Sequence, residues 1–345
     1  MRKKNIYIIA LLITALSSFM LTSCDVHEWP ELPDEVPFQF HLKFETDMPI
    51  EHNKYGTRAG KNEAELEMRY IVRAYPILQD GKTAQEYIDE YIFTRNISDN
   101  YDCSFTYNLP PGEYTIRVWA DFVKQGSKDN YLYDADNFRE IYLIENDTHP
   151  ANTDNRDAFR GSKDITLVAD IVERNPDETT IEMLRPMGKF EFITTDLLEF
   201  VNNEARNIAA KSNQNTVNTA SVDLDDYRVV FFYVGFMPNA YSLITDKPVD
   251  SATGIYFSSK LTQISQSDAS MGFDYIFVNG KESVTTVVVG IFNRAGEQLG
   301  MTAPIDVPIK RGVHTIIEGK FLLEENKGGV NINPEFDGDF NLIFP

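Results

Sequence analysis

Three groups of residues have types that could do chemistry: two cysteines, five histidines and several carboxylate clusters. The histidines are His27, His41, His52, His149 and His314. No two stand at a metal-ligand spacing, and the chain holds no HExxH run, paired Cys motif, Gly-x-Ser-x-Gly elbow or phosphate-binding glycine loop. His41 falls on the polar side of an alternating run, the place of a solvated histidine. Two acidic clusters, Asp223/Asp225/Asp226 and Glu335 to Asp339, offer oxygens of the kind calcium takes. Neither has EF-hand spacing, and both read as solvated turns. No metal and no cofactor is expected. A glycosidase needs only two carboxylates, which a sequence cannot pair, so a hydrolase stays as a third reading. Cys103 reads as a small buried hydrophobe.

Cys24 is different, because its surroundings are those of a modified residue. Arg2, Lys3 and Lys4 form a basic start, Ile6 to Leu16 is an apolar run, and Leu21-Thr22-Ser23-Cys24 follows. That is the plan of a secretory signal. The apolar run is shorter than the roughly 20 residues a membrane-spanning helix needs. Leu-Thr-Ser-Cys resembles the bacterial lipobox, which implies diacylglycerol on the Cys24 thiol, cleavage before it, and further acylation of the freed amine. Several chains on one residue anchor durably. Residues 1–23 are thus expected to be removed. Residues 24–36, with Pro30 and Pro33 followed by Pro37, read as a stiff, lipidated tether. An aspartate at position 25 goes with inner-membrane retention in enteric bacteria and with surface export in Bacteroidetes.

The elements that must position everything else are strands. Phe38, Phe40, Leu42 and Phe44 alternate with polar residues, and Leu66 to Tyr75 keeps the same rhythm. Phe105, Tyr107 and Leu109 alternate into Pro110-Pro111-Gly112, and Tyr114, Ile116, Val118 and Ala120 alternate out of it, which reads as a hairpin. Further strands are expected near 88–94, 140–144, 163–168 and 180–184. The second half adds 188–194, 228–235, 254–259, 273–278, 284–292, 305–309 and 315–323. Met237-Pro238-Asn239, Asn279-Gly280, Arg294 to Glu297 and Lys310-Arg311-Gly312 read as turns. One helix is expected over 196–210, capped by Thr195 or Asp196. The fold class is therefore mainly β: two tandem β-sandwiches, 37–185 and 186–345, with one short helix in the second. The chain carries 53 acidic against 32 basic residues, a formal charge of −21, and no basic patch, which argues against nucleic acid.

At these residues a family resemblance enters. Leu109 to Asp121 looks like the hairpin of transthyretin-like sandwich domains. With the lipobox and Arg185 to Phe190 at the join, the chain resembles the Bacteroidetes fimbrillin-type lipoproteins, the fimbrial anchor subunits and their uncharacterised relatives. The resemblance implies an outer-membrane, lipid-anchored protein facing the cell exterior. It implies no enzymatic activity, and a role in fimbria-like anchoring, assembly or adhesion by strand addition, with other fimbrial subunits as partners. Arg58, in Gly56-Thr57-Arg58-Ala59-Gly60, is a candidate proteolytic site, though an uncut loop is the favoured reading. The tether and residues 340–345 are candidate donor strands, the latter more simply the last strand of the second sandwich. Asp250-Ser251-Ala252 resembles a Bacteroidetes O-glycosylation sequon.

The alternative function is capture of host or dietary glycan. Trp119 and Tyr241 are the candidate ligand-facing aromatics, with Tyr233, Phe236 and Tyr256 as a second group. Trp119 stands opposite the face carrying Tyr114, Ile116 and Val118. Such a residue is either exposed or covered by a further layer.

Overall fold

Alternation in the sequence becomes strand in the structure, and the covered faces become three cores. The computed structural model describes residues 33–49, 65–96, 101–145, 148–169, 177–212, 216–323, 331–332 and 340–343. In chain order the strands of the first half are β1 (Val36–Phe44), β2 (Leu66–Pro76), β3 (Asp89–Asn96), β4 (Cys103–Leu109), β5 (Gly112–Lys124), β6 (Tyr133–Asp134), β7 (Ile141–Leu143), β8 (Ala158–Leu167) and β9 (Asp177–Met183). The second half runs β10 (Met187–Thr194), helix α1 (Leu197–Lys211), β11 (Arg228–Tyr233), β12 (Phe236–Ser242), β13 (Lys247–Thr253), β14 (Tyr256–Lys260) and β15 (Thr262–Gln263). It continues with β16 (Ala269–Phe277), β17 (Glu282–Phe292), β18 (Gln298–Met301), β19 (Ile305–Lys310), β20 (His314–Gly319), β21 (Asn331–Ile332) and β22 (Phe340–Ile343).

The first sandwich sets a sheet β4-β1-β9 against a sheet β3-β2-β5-β8. Phe38, Phe40, Leu42 and Phe44 meet Tyr70, Val72, Ile116 and Val118 between them, all buried. Each such side chain contributes about 1.5–3 kcal/mol by leaving water. One side of this sandwich is closed, because Arg160 of β8 and Leu184 exchange two backbone hydrogen bonds of 2.9 Å.

The second sandwich sets β15-β16-β10-β20-β22-β21 against β14-β11-β17-β18, with β19 also on β17. The C-terminal strand β22 runs parallel to β20, as expected of a last strand of this sandwich. Helix α1 turns Leu197, Phe200, Ala205 and Ala209 inward, and Phe200 packs edge-on against Tyr227 at 4.9 Å. Asp196 occupies the cap position, but its carboxylate makes no capping bond. It instead accepts from the Leu322 and Leu323 amides at 3.2 and 3.1 Å, fixing the chain beyond β20.

A third layer lies between the sandwiches. It is the sheet β13-β12-β7-β6, in which β7 of the first half pairs with β12 of the second, Ile141 opposite Tyr241 and Tyr142 opposite Ala240. Here the structure corrects the sequence reading. Met237-Pro238-Asn239 is not a turn but part of β12, whose register breaks around Asn239. A bulge accommodates the proline, which has no amide to give a ladder.

Candidate functional site

Cys24 and Arg58, the lipidation and cleavage candidates, lie outside the described residues, as does the Glu335 to Asp339 cluster. β1, the first strand after the tether, is described and held on both sides. It pairs antiparallel with β4, from Val36 opposite Leu109 to Leu42 opposite Cys103, and parallel with β9, from Phe38 opposite Asp177 to Phe44 opposite Met183. β4 by contrast hydrogen-bonds to β1 alone among the described strands. Its 7 residues, CSFTYNL, contain no charge and no proline. Edges of this kind attract further strands; protected edges carry charges or proline, as β13 does with Lys247, Pro248 and Asp250. Aromatics pack across the side between β3 and β4: Phe93 lies 5.1 Å from Phe105, and Tyr91 5.9 Å from both Phe105 and Tyr107. Cys103 is buried, and burial pushes its thiol pKa up.

The candidate sugar platforms are corrected by their burial. Trp119 exposes none of its surface. It packs edge-on against Tyr133 of β6 at 5.5 Å, because the face it shares on β5 is covered by the third layer. Tyr241 is equally closed off, stacked on Phe277 at 5.4 Å with its hydroxyl donating to Asp246. Neither presents a ring to solvent. Tyr233 is buried too, whereas Phe236 and Tyr256 are 77% and 52% exposed. The alternation placed Trp119 on the right face; what covers that face comes from strands distant in sequence.

The same seam holds a polar cluster that sequence reasoning missed. Asp274 of β16 receives the Tyr233 hydroxyl at 2.5 Å and pairs with Arg156. His149 lies between Asp274 (Nε2 to Oδ2, 2.7 Å) and Glu145 (Nδ1 to Oε1, 2.9 Å). Burial alone would raise the Asp274 carboxyl, but Arg156, His149 and the Tyr233 hydrogen bond outweigh it and hold it below the ordinary range. Beside it Lys189 meets Asp154 at 2.7 Å, and Tyr275 donates to the same oxygen at 2.9 Å. A carboxylate, an imidazole and a phenol in hydrogen-bond reach resemble acid–base machinery. Asp274, His149, Arg156 and Tyr233 are, however, all buried. Their hydrogen bonds and ion pairs tie Glu145 and residues 148–157 to β11 and β16 of the second sandwich.

The acidic cluster before β11 is a capped turn. The Asp223 side chain accepts from the Asp225 amide at 3.0 Å, Asp225 pairs with Lys260 and Asp226 with Arg294. Among the described residues no group of three or more potential ligands could hold a metal ion. His41 is exposed and bonds to Ser104 at 3.0 Å.

The sequence from 33 to 344 matches the model of a family of unknown function (DUF6562). The chain belongs to that family. No curated protein matches it. Solved structures to which the DUF6562 chain is similar include the fimbrial anchor protein Mfa2 from Porphyromonas gingivalis, at 13% identity and TM-score 0.41, covering 79% of this chain and 82% of that one. A candidate polysaccharide-binding protein from Bacteroides thetaiotaomicron matches at 13% and 0.41, covering 76% and 79%. A candidate adhesin from Bacteroides ovatus matches at 13% and 0.38, covering 84% and 88%.

Proposed function

We propose that this DUF6562 chain is a non-catalytic lipoprotein of the outer-membrane surface that anchors or assembles fimbria-like structures, or adheres, by accepting a strand at β4. Lipid on Cys24 holds it, residues 24–36 space it from the membrane, and the sandwiches 37–185 and 186–345 form its body. One observation carries the reading: the uncharged edge β4 lies directly beside β1, the strand that leads back to Cys24. A strand added there would be hydrogen-bonded one strand away from the tether, so tension would pass in shear across a short ladder. Main-chain bonds would supply the affinity, and the aromatic side between β3 and β4 the specificity.

The test is crosslinking on intact cells followed by mass spectrometry. The wild type is expected to join to β-sandwich surface subunits. Thr106→Lys with Asn108→Lys, exposed positions on β4, is expected to abolish the crosslink while changing stability by less than about 0.5 kcal/mol per site. A crosslink that survives both lysines, or a protein sheltered from protease added outside the cell, would overturn the reading.

A further inference from the structure

A pocket of about 510 Å³ opens where β14, the edge of one sheet of the second sandwich, approaches β15 and β16 of the other. That volume lies in the range of small-ligand sites, about 300–1,000 Å³. Two unusual backbone positions meet in its wall. Asn152 has φ +56° and Gly272 has φ +146°. A Cβ on Gly272 would come within 2.9 Å of the Asn152 Oδ1 and 3.0 Å of the Ser259 Cβ, so no other residue fits without displacing the wall. Asn152 is locked by three bonds: its amide donates to the Phe273 carbonyl at 3.0 Å, its Oδ1 accepts from the Phe273 amide at 2.9 Å, and its Nδ2 donates to the Ser258 carbonyl at 3.4 Å. Glycine takes a positive φ without steric cost and Asn readily adopts the left-handed region, so this part of the wall has one fixed shape.

The lining is specific in its chemistry. Ser258 and Thr262 are exposed hydroxyls on its rim. Two cations stand there, Arg228 and Lys260, in a chain whose formal charge is −21. Asp225 holds Lys260 at 3.2 Å. Arg228 is exposed, with its guanidinium 5.7 Å from the Phe292 ring centroid, and no carboxylate pairs with it among the described residues. The exposed hydroxyls can bond the hydroxyls of a sugar, and the guanidinium can bond an anion. A sugar carrying a carboxylate answers both, since a guanidinium fork matches a carboxylate in two bonds.

We propose that this pocket binds a hexuronate unit of an acidic glycan, its carboxylate on Arg228 and its ring hydroxyls on Ser258 and Thr262. The site is independent of the β4 edge, and loss of strand addition would leave it standing.

The test uses the full lipidated chain in detergent micelles, titrated with trigalacturonate and with neutral galactotriose. Trigalacturonate is expected to bind, and galactotriose to bind at least about tenfold more weakly. Arg228→Ala is expected to bring the acidic trisaccharide down to the neutral level. Ser258→Trp, which fills the pocket from an exposed position, is expected to abolish binding of both. Unchanged unfolding midpoints would show both variants folded. The proposal is overturned by no trigalacturonate binding up to about 10 mM, by equal binding of the neutral sugar, or by binding that survives both substitutions.

Discussion

Arg185 forks onto Asp157, Nε 2.8 Å from Oδ1 and Nη2 2.8 Å from Oδ2, and neither side chain exposes any surface. The pair sits at the link from β9 to β10, between the halves. Arg185 also donates from its backbone amide to Glu45 at 2.9 Å and lies 4.6 Å from the Phe159 ring centroid. Burial would lower the guanidinium's pKa, but Asp157 beside it outweighs that and raises it. Removing one member leaves a buried charge without its partner. Asp157→Leu or Arg185→Met should each cost about 3–5 kcal/mol, and the two together should recover much of the loss. Denaturant unfolding of the four proteins measures this. A double variant no more stable than the sum of the singles would show that the pair is not coupled.

Trp119 makes a second prediction, since its place in the third core replaces the ligand role its sequence position suggested. Trp119→Ala should cost about 3–5 kcal/mol. Because Tyr133, on which Trp119 packs, also contacts Phe277 at 6.0 Å, the loss should be felt on both sides of the seam. Hydrogen exchange would show it, with protection falling in β5 and β16 together. A change confined to β5 would mean that the third layer does not couple the sandwiches.

A pH dependence follows from Glu191. Burial would raise its carboxyl, but the His314 ring, 3.2 Å away, and the Ser270 hydroxyl, donating at 2.5 Å, hold it below its ordinary 4.5. The folded pKa is thus below the unfolded one. Between the two the unfolded chain binds more protons, so stability rises with pH. The contribution is fully present above 4.5 and is lost as pH falls through the depressed folded value. Glu45 opposes this: burial raises its carboxyl, so its contribution is present at low pH and lost as pH rises through its folded value. Glu191→Gln should therefore flatten the loss of stability on acidification below the ordinary carboxyl value of 4.5. Unfolding midpoints across that range are the measurement, and parallel curves for variant and wild type would refute the assignment.

Local pattern predicted most of this architecture. β1, β4, β5, β10, β17 and α1 all stand where alternation or helical spacing put them, because one face of each meets a core. The pattern failed where strands are short, exposed or irregular. β13 has an exposed or half-exposed residue at every position, and β12 carries a proline, so neither shows a covered face from within its own sequence. Missing that hairpin meant missing the third layer, and with it the strands that cover Trp119 and Tyr241. The cluster around Asp274 was invisible for a related reason. His149, Arg156, Tyr233 and Asp274 come from separate segments, and only topology brings them together. What signalled them weakly was a charged residue, Asp274, amid the apolar run of β16, every residue of which is buried.

The tether makes the last prediction. Losing residues 1–23 removes Arg2, Lys3 and Lys4 and no acidic residue, taking the formal charge from −21 to −24. A body that acidic is repelled by anionic headgroups, so its surface cannot substitute for an anchor. Among the described residues no helix is long and apolar enough to cross a membrane. Attachment would then rest on the acyl chains alone, where several chains hold durably and one holds only marginally. Wild-type protein should sediment with membranes and come off only in detergent, and it should take up labelled palmitate. Cys24→Ala should lose the label and move to the soluble fraction, or remain as the uncleaved precursor with its apolar run attached, a difference in mass that gel mobility reports. A cleaved Cys24→Ala protein still bound to membranes would show that some other surface of the chain holds it there.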